Sequence, residues 1–79
     1  MAVYTYDAEA DVLQVLLVDE AETIIQRTVE LGSTLHVDLD PNGRVVGVEF
    51  LYPRTHGMDS EPLMERFGID LKIPFSFAA

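Results

Sequence analysis

The chain contains no cysteine and no tryptophan, and its basic side chains are few. Without cysteine it has no disulfide bonds, and its two histidines, His36 and His56, are too far apart in sequence to form a metal motif by themselves. Five basic residues stand against 14 acidic ones, which gives a formal net charge of −9. Nucleic-acid-binding domains usually carry a basic patch, so direct binding of DNA or RNA is not expected.

Long hydrophobic runs are absent as well. The most apolar stretch, Val15 to Val18, is far shorter than the roughly 20 residues that a membrane-spanning helix needs. The first residues show neither a basic region nor an apolar signal core. We therefore expect a cytoplasmic protein that does not enter a membrane.

The chain is short but rich in apolar residues. It has 79 residues, of which 48% are hydrophobic. A domain of this size buries only about 60–65% of its unfolded surface, and this chain has no disulfide or zinc site to add stability. Association with a second copy would add stability and would bury the excess apolar surface. The sequence therefore predicts a single domain over residues 1–79 that forms a homodimer.

The clearest structural pattern is a β-hairpin over residues 37–49. Pro41 presets the backbone for the first corner of a turn, Asn42 tolerates the second, and Gly43 accepts a positive φ. Apolar, β-branched residues lie on both sides of this turn. The pattern predicts two antiparallel strands joined by a tight loop.

The register of this hairpin stays open. A three-residue loop with a glycine bulge places Leu39 opposite Val45. A four-residue loop places Leu39 opposite Val46 and Val37 opposite Val48, and it gathers the apolar side chains on one face. The turn residues favour the first register, whereas the burial pattern favours the second.

Other segments also alternate with the period of a strand. The predicted strands cover residues 3–6, 12–18, 24–31, 35–39 and 45–51. Short turns between them indicate an antiparallel meander of four to five strands. The strands over 12–18 and 45–51 carry apolar residues on both faces, so both faces of the sheet need cover.

The C-terminal part differs from the sheet, which is predicted over residues 1–52. After a loop over 54–59, Ser60 is suited to begin a helix and Gly68 to end it. An extended arm with alternating apolar residues follows over 69–77. The predicted class is therefore α+β, mainly β, with one short helix and an arm over residues 53–79. The residues expected at a subunit interface are Phe50, Leu63, Met64, Phe67, Leu71, Ile73, Phe75 and Phe77.

A metal site is weakly indicated at most. Asp7, Glu9 and Asp11 alternate like the start of a calcium loop. That loop needs glycine at its sixth position and glutamate at its twelfth, where this chain has Val12 and Val18. We predict no metal and no cofactor.

Catalysis is the alternative to a binding function. His36 with Asp38 or Glu49 could form a proton-transfer pair or a metal-dependent site if their face of the sheet were a cleft. The sequence has no nucleophile or oxyanion donor near them. A non-enzymatic protein is therefore the main expectation.

Three ordered motifs carry a family resemblance. They are YDxEADxL at 6–13, TVEL at 28–31 and VDLDxxGRVVGVE at 37–49. Together they resemble the small prokaryotic and phage family catalogued as domain of unknown function 2283, over about residues 3–51. The resemblance implies a short antiparallel β-domain without established catalytic residues. Similar members are often encoded beside small toxin-like proteins, which implies an antitoxin-like or partner-binding role.

The charge of the chain indicates which partner such a module would bind. A strongly acidic surface attracts a basic protein by electrostatic steering, although the same charge also serves simply to keep a protein soluble. We therefore expect a protein-binding module, antitoxin-like towards a basic partner. Residues 52–79 lie outside the resemblance.

The predicted homodimer can be tested in solution. Light scattering at micromolar concentration should give a dimer mass, and the unfolding midpoint should rise with protein concentration because dissociation accompanies unfolding. A monomer whose unfolding does not depend on concentration would contradict the prediction.

Overall fold

In the computed structural model, residues 2–19 and 24–72 are described, and the structural statements below concern these residues. The strands are β1 (Val3–Asp7), β2 (Val12–Leu16), β3 (Arg27–Glu30), β4 (Leu35–Leu39) and β5 (Val45–Leu51). They form one antiparallel sheet. Two short helices follow, α1 (Pro53–His56) and α2 (Glu61–Phe67). The predicted class, α+β and mainly β with a C-terminal helix, is confirmed.

The strand order is β1-β2-β5-β4-β3, which departs from a simple meander at one point. Strand β2 pairs with β5 instead of with its successor β3. The two strands with apolar residues on both faces thereby become neighbours in the interior of the sheet. Strand β3, whose residues are mostly exposed, lies at an edge and is shorter than the predicted strand over 24–31.

The hairpin between β4 and β5 combines both predicted registers. Leu39 lies opposite Val45, as the three-residue loop requires. A bulge then shifts the pairing, so that Val37 lies opposite Val48, as the burial pattern requires. Val46 is the additional residue in β5. Turn chemistry therefore sets the pairing beside the loop, and burial sets it further along.

The hydrophobic core lies on one face of the sheet, under α2. Its buried residues are Leu13, Val15, Leu35, Val37, Leu39, Val45, Val48, Phe50 and Leu63. Leu63, on α2, is fully buried, and Phe67 packs against the same cluster. The helix ends at Gly68, which has a φ of 68° and donates its N–H to the carbonyl of Met64. A seven-residue helix has little stability alone, so docking on the sheet maintains it.

Two of the residues predicted at a subunit interface belong to the core of the single chain. Phe50 is 2% exposed and Leu63 is 0% exposed, and both are part of the hydrophobic cluster between sheet and helix. Met64 is 45% exposed, and Phe67 and Leu71 are half-buried. The other three predicted interface residues, Ile73, Phe75 and Phe77, lie outside the described residues.

The segment after the sheet also differs in part from the prediction. The expected loop over 54–59 begins with the single turn α1. The start of the predicted arm, residues 69–72, is not a strand, and Ile69 and Leu71 pack against the core of the same chain. The Tyr4 hydroxyl donates a hydrogen bond to the carbonyl of Lys72 (3.1 Å). The remainder of the arm lies outside the described residues.

The contribution of helix docking to stability can be measured with substitutions at two adjacent residues of α2, Leu63 and Met64. Leu63→Ala should lower the free energy of unfolding by about 2–5 kcal/mol, because it leaves a cavity between helix and sheet. Met64→Ala removes an exposed side chain of the same helix and should change the free energy of unfolding far less. Urea denaturation measures both. Similar losses in the two variants would show that α2 is not held by Leu63.

Asp40 organises the hairpin loop. It is 8% exposed, and its Oδ1 accepts the backbone N–H groups of Asn42 (2.9 Å) and Arg44 (2.8 Å). Its Oδ2 accepts the Arg44 Nε–H (3.1 Å). The Arg44 backbone N–H is the main cause that holds the pKa of Asp40 below its usual value, against the opposing effect of desolvation.

This pKa shift predicts how stability depends on pH. Because the folded-state pKa is the lower one, the contribution of Asp40 is fully present above the unfolded value of about 3.9. It is lost as the pH falls through the folded-state pKa. Asp40→Asn should therefore lower the melting temperature at neutral pH and reduce the further loss on acidification. Glu65→Gln, an exposed control, should retain the wild-type acid profile. An unchanged profile in Asp40→Asn would contradict the assignment.

Candidate functional site

The sheet face opposite the core, which we call the open face, carries the candidate site. Successive side chains of a strand point to opposite faces, so the residues that alternate with the core residues lie here. They are Val3, Thr5, Asp7, Val12, Gln14, Leu16, Thr28, Glu30, His36, Asp38, Gly47, Glu49 and Leu51. Val3, Gln14 and Glu30 are exposed. The cover that the sequence predicts for both faces is therefore not found over these positions in the described part of the chain.

A row of polar residues crosses all five strands of this face. Direct pairing places Glu30, His36, Glu49, Gln14 and Thr5 side by side. His36 lies between two carboxylates, with its Nε2 3.7 Å from Glu30 Oε1 and its Nδ1 3.6 Å from Glu49 Oε1. A single histidine thus lies between the two glutamates, and it carries a positive charge only when protonated.

A second row lies one pair further along the strands. It contains Thr28, Asp38, Gly47, Leu16 and Val3. The Thr28 hydroxyl donates a hydrogen bond to Asp38 Oδ1 (2.6 Å), which orients that carboxylate. A Cβ atom at Gly47 would lie 3.3 Å from Asp38 Oδ2. The second carboxylate oxygen therefore borders the space that the glycine leaves.

The missing side chain of Gly47 contributes to an open depression of about 340 Å³. The residues around it are Val3, Thr5, Gln14, Val15, Leu16, Ile25, Asp38, Gly47 and Val48. Val3 and Ile25, at 51% and 53% exposed, form apolar parts of its rim. The depression thus combines apolar surface with one carboxylate.

Apart from His36, the ionisable side chains of the open face are all carboxylates. They are Asp7, Glu30, Asp38 and Glu49. The lysine and arginine side chains lie elsewhere. Arg27 lies opposite the core residue Leu39 in the strand pairing, and Arg44 forms an ion pair with Asp40. Arg54 lies over the Tyr6 ring, Arg66 lies over the Phe67 ring, and Lys72 follows α2. Among the described residues, no lysine or arginine forms an ion pair with an open-face carboxylate.

The predicted catalytic trio shares this face but does not form one contact group. His36 approaches Glu49, whereas Asp38 is hydrogen-bonded to Thr28. Across residues 2–19 and 24–72, no group of three or more histidine or acidic side chains could hold a metal ion. Sequence reasoning missed Thr28 and Gly47. A glycine inside a central strand was the available indication, since it marks a close approach or a gap.

The acids of the first turn support the backbone. Asp7 Oδ1 accepts the N–H groups of Glu9 (3.0 Å) and Ala10 (3.1 Å), which closes the connection between β1 and β2. Asp11 Oδ1 accepts the Tyr6 hydroxyl (2.7 Å), and this bond is the main cause that raises the pKa of Tyr6. The carboxylates of Asp7 and Asp11 thus hold this turn, and Glu9 contributes its backbone N–H.

A backbone link joins this turn to α1. Asp11 and Tyr52 both have left-handed backbones, with φ of 55° and 57°, which is uncommon outside glycine. The Tyr52 N–H donates to the Asp11 carbonyl (2.7 Å), and the Arg54 N–H donates to Asp11 Oδ1 (3.3 Å). This cluster fixes the direction in which the chain leaves β5. It lies at the end of the sheet, apart from the depression.

Neither α1 nor α2 is long and apolar enough to cross a membrane, and the described ranges contain no other helix.

Comparison with known proteins gives one match. A family model described as "Protein of unknown function (DUF2283)" matches residues 4–52. No curated protein and no solved structure matches the chain. The matched segment contains nearly all of the sheet, and therefore nearly all of the open face, whereas α2 lies outside it.

Proposed function

Because the chain belongs to the DUF2283 family, whose description assigns no function, we propose one from its surface: it is a non-catalytic module that binds a basic protein. The binding surface is the open face. An antitoxin-like role, in which the module neutralises a basic partner, is the form of this function that the family resemblance implies.

The uncompensated acidity of the open face carries this proposal. Glu30 and Glu49 flank His36, Asp38 lies in the neighbouring row, and in the described part of the chain no lysine or arginine forms an ion pair with any of the three. Specific interfaces combine complementary charge with an apolar centre. The exposed side chains of Val3 and Ile25 supply apolar surface in the depression that Asp38 also lines. A partner with lysine or arginine next to apolar side chains would match both.

The proposal includes a homodimer that leaves the open face free. Two copies of an acidic face would repel each other, so that face is a poor surface for self-association. Met64, Phe67 and Leu71 lie on the opposite side, where α2 and the following segment pack on the core. We place the dimer contact on that side. As the sequence analysis predicts, we regard the protein as cytoplasmic.

The alternative of an enzyme that uses His36, Asp38 and Glu49 has less support. A proton-transfer pair needs a base within hydrogen-bond reach of the group it serves. His36 faces carboxylates on both sides, and Asp38 contacts Thr28 instead of the histidine. The arrangement is better suited to binding through surface charge than to acid–base catalysis.

Affinity capture with matched variants tests the proposed function. The baits are the wild-type chain, Glu30→Gln/Glu49→Gln, and the control Glu9→Gln/Glu65→Gln, which removes the same charge from exposed positions away from the polar row. We expect the wild type and the control to retain a basic protein that high salt elutes. The open-face variant should retain much less of it, because steering and rim charge are lost.

Circular dichroism and melting curves first establish that all three baits are folded. The captured protein is then purified, and its dissociation constant for each bait is measured at two salt concentrations. Equal binding by the open-face variant and the control, or capture of acidic proteins that salt does not elute, would contradict the proposal.

A further inference from the structure

The depression over Gly47 differs from the rest of the open face in its shape and its chemistry. Gly47 is buried in the sheet between its pairing partners Leu16 and Asp38. An alanine there would introduce a Cβ only 3.3 Å from Asp38 Oδ2 and 3.5 Å from the Val15 carbonyl oxygen. The glycine therefore keeps this space open next to a carboxylate oxygen.

The carboxylate in the depression has a fixed orientation. Asp38 Oδ1 accepts the Thr28 hydroxyl at 2.6 Å, and no ion pair joins Asp38 to a described lysine or arginine. Its Oδ2 remains beside the gap. A side chain already held in place forms an additional charged hydrogen bond with less loss of conformational freedom.

The surrounding residues limit what the depression can bind. Val3, Leu16 and Ile25 supply apolar surface, which suits methylene groups, and Thr5 and Gln14 supply polar groups on the side of the depression away from Asp38. The negative charge disfavours an anion. One carboxylate among apolar neighbours gives a hydrated metal ion few oxygen ligands. Lysine and arginine side chains combine an apolar stem with a cationic head, which matches this pattern.

We propose that this depression is an anchoring pocket for one lysine or arginine side chain of the partner protein. The cationic head contacts Asp38 Oδ2, and the stem lies against Val3, Leu16 and Ile25. The inference rests on the proposed function, which it makes more specific: the partner presents a cationic side chain that enters the sheet face above Gly47. Glu30 and Glu49 contribute longer-range attraction around this contact.

A titration with single amino-acid derivatives tests the pocket without the partner. The probes are N-acetyl-arginine amide, N-acetyl-lysine amide and N-acetyl-norleucine amide, added to the isotope-labelled full chain at constant ionic strength. We expect weak saturable binding of the arginine or lysine probe, with amide shift changes centred on Asp38, Gly47 and Leu16. Comparison of these two probes shows which cationic head fits better. Norleucine, which has a similar stem without charge, should bind at least about tenfold more weakly, because the charged hydrogen bond is lost.

Two variants separate charge from shape. Asp38→Asn retains an acceptor for Thr28 but removes the charge, and Gly47→Ala fills the gap. Each should weaken binding of the preferred probe about tenfold or more, whereas Glu65→Gln should leave it unchanged. If Gly47→Ala does not fold, Asp38→Asn alone decides the result.

Equal binding of norleucine and the cationic probes would overturn the inference, as would full binding by Asp38→Asn or shift changes confined to other surfaces. Such a result combined with partner capture that still depends on Glu30 and Glu49 would refute the pocket and retain the proposed function. Probe binding at Asp38 without any charge-dependent capture would refute the proposed function instead.

Discussion

The additional residue in β5, Val46, determines which side chains of β5 lie on the core face beyond the bulge. If the pairing of Leu39 with Val45 continued without a shift, Leu35 would lie opposite Glu49 on the core face. Burial of an unpaired carboxylate in a core is strongly unfavourable. The bulge instead places Phe50 opposite Leu35 and Glu49 opposite His36. One local irregularity thus keeps the apolar face continuous and the acidic face separate.

The two faces consequently differ in what packs against them. The core face is covered by Leu63 and its neighbours after β5, so the short helix completes the hydrophobic core. The opposite face has carboxylates beside exposed apolar side chains, and its central glycine leaves a gap next to Asp38. In the described part of the chain, α2 and the segment after it pack on the core face. We propose the other face as the surface that binds a partner.

The sequence predicts the local elements well because local chemistry determines them. Pro41, Asn42 and Gly43 specify the hairpin loop, alternation specifies the strands, and Gly68 specifies the end of α2. The pairing of β2 with β5 is not local, because the two strands are distant in sequence. Both carry apolar residues on two faces, and they become neighbours only when the sheet assembles. Helix α1 was missed because it follows a left-handed backbone at Tyr52, which the sequence does not reveal.

The candidate site was predicted in part. His36, Asp38 and Glu49 share one face because they alternate with apolar residues, and that alternation is visible in the sequence. The separate partners of the histidine and of Asp38 depend on the register across β3, β4 and β5. The gap over Gly47 depends on which residues lie opposite it in both neighbouring strands, and only the assembled sheet provides that information.

Thiol accessibility tests most directly whether the open face is uncovered. The chain has no cysteine, so a single cysteine at Gln14 on the open face, or at buried Val15 on the core face, reports on its own face alone. In the full chain at micromolar concentration, the thiol of Gln14→Cys should react with a disulfide reagent almost as fast as a free thiol. The thiol of Val15→Cys should react only as fast as the core opens. Equal protection of the two thiols in folded protein would show that the open face is covered, and it would contradict this account.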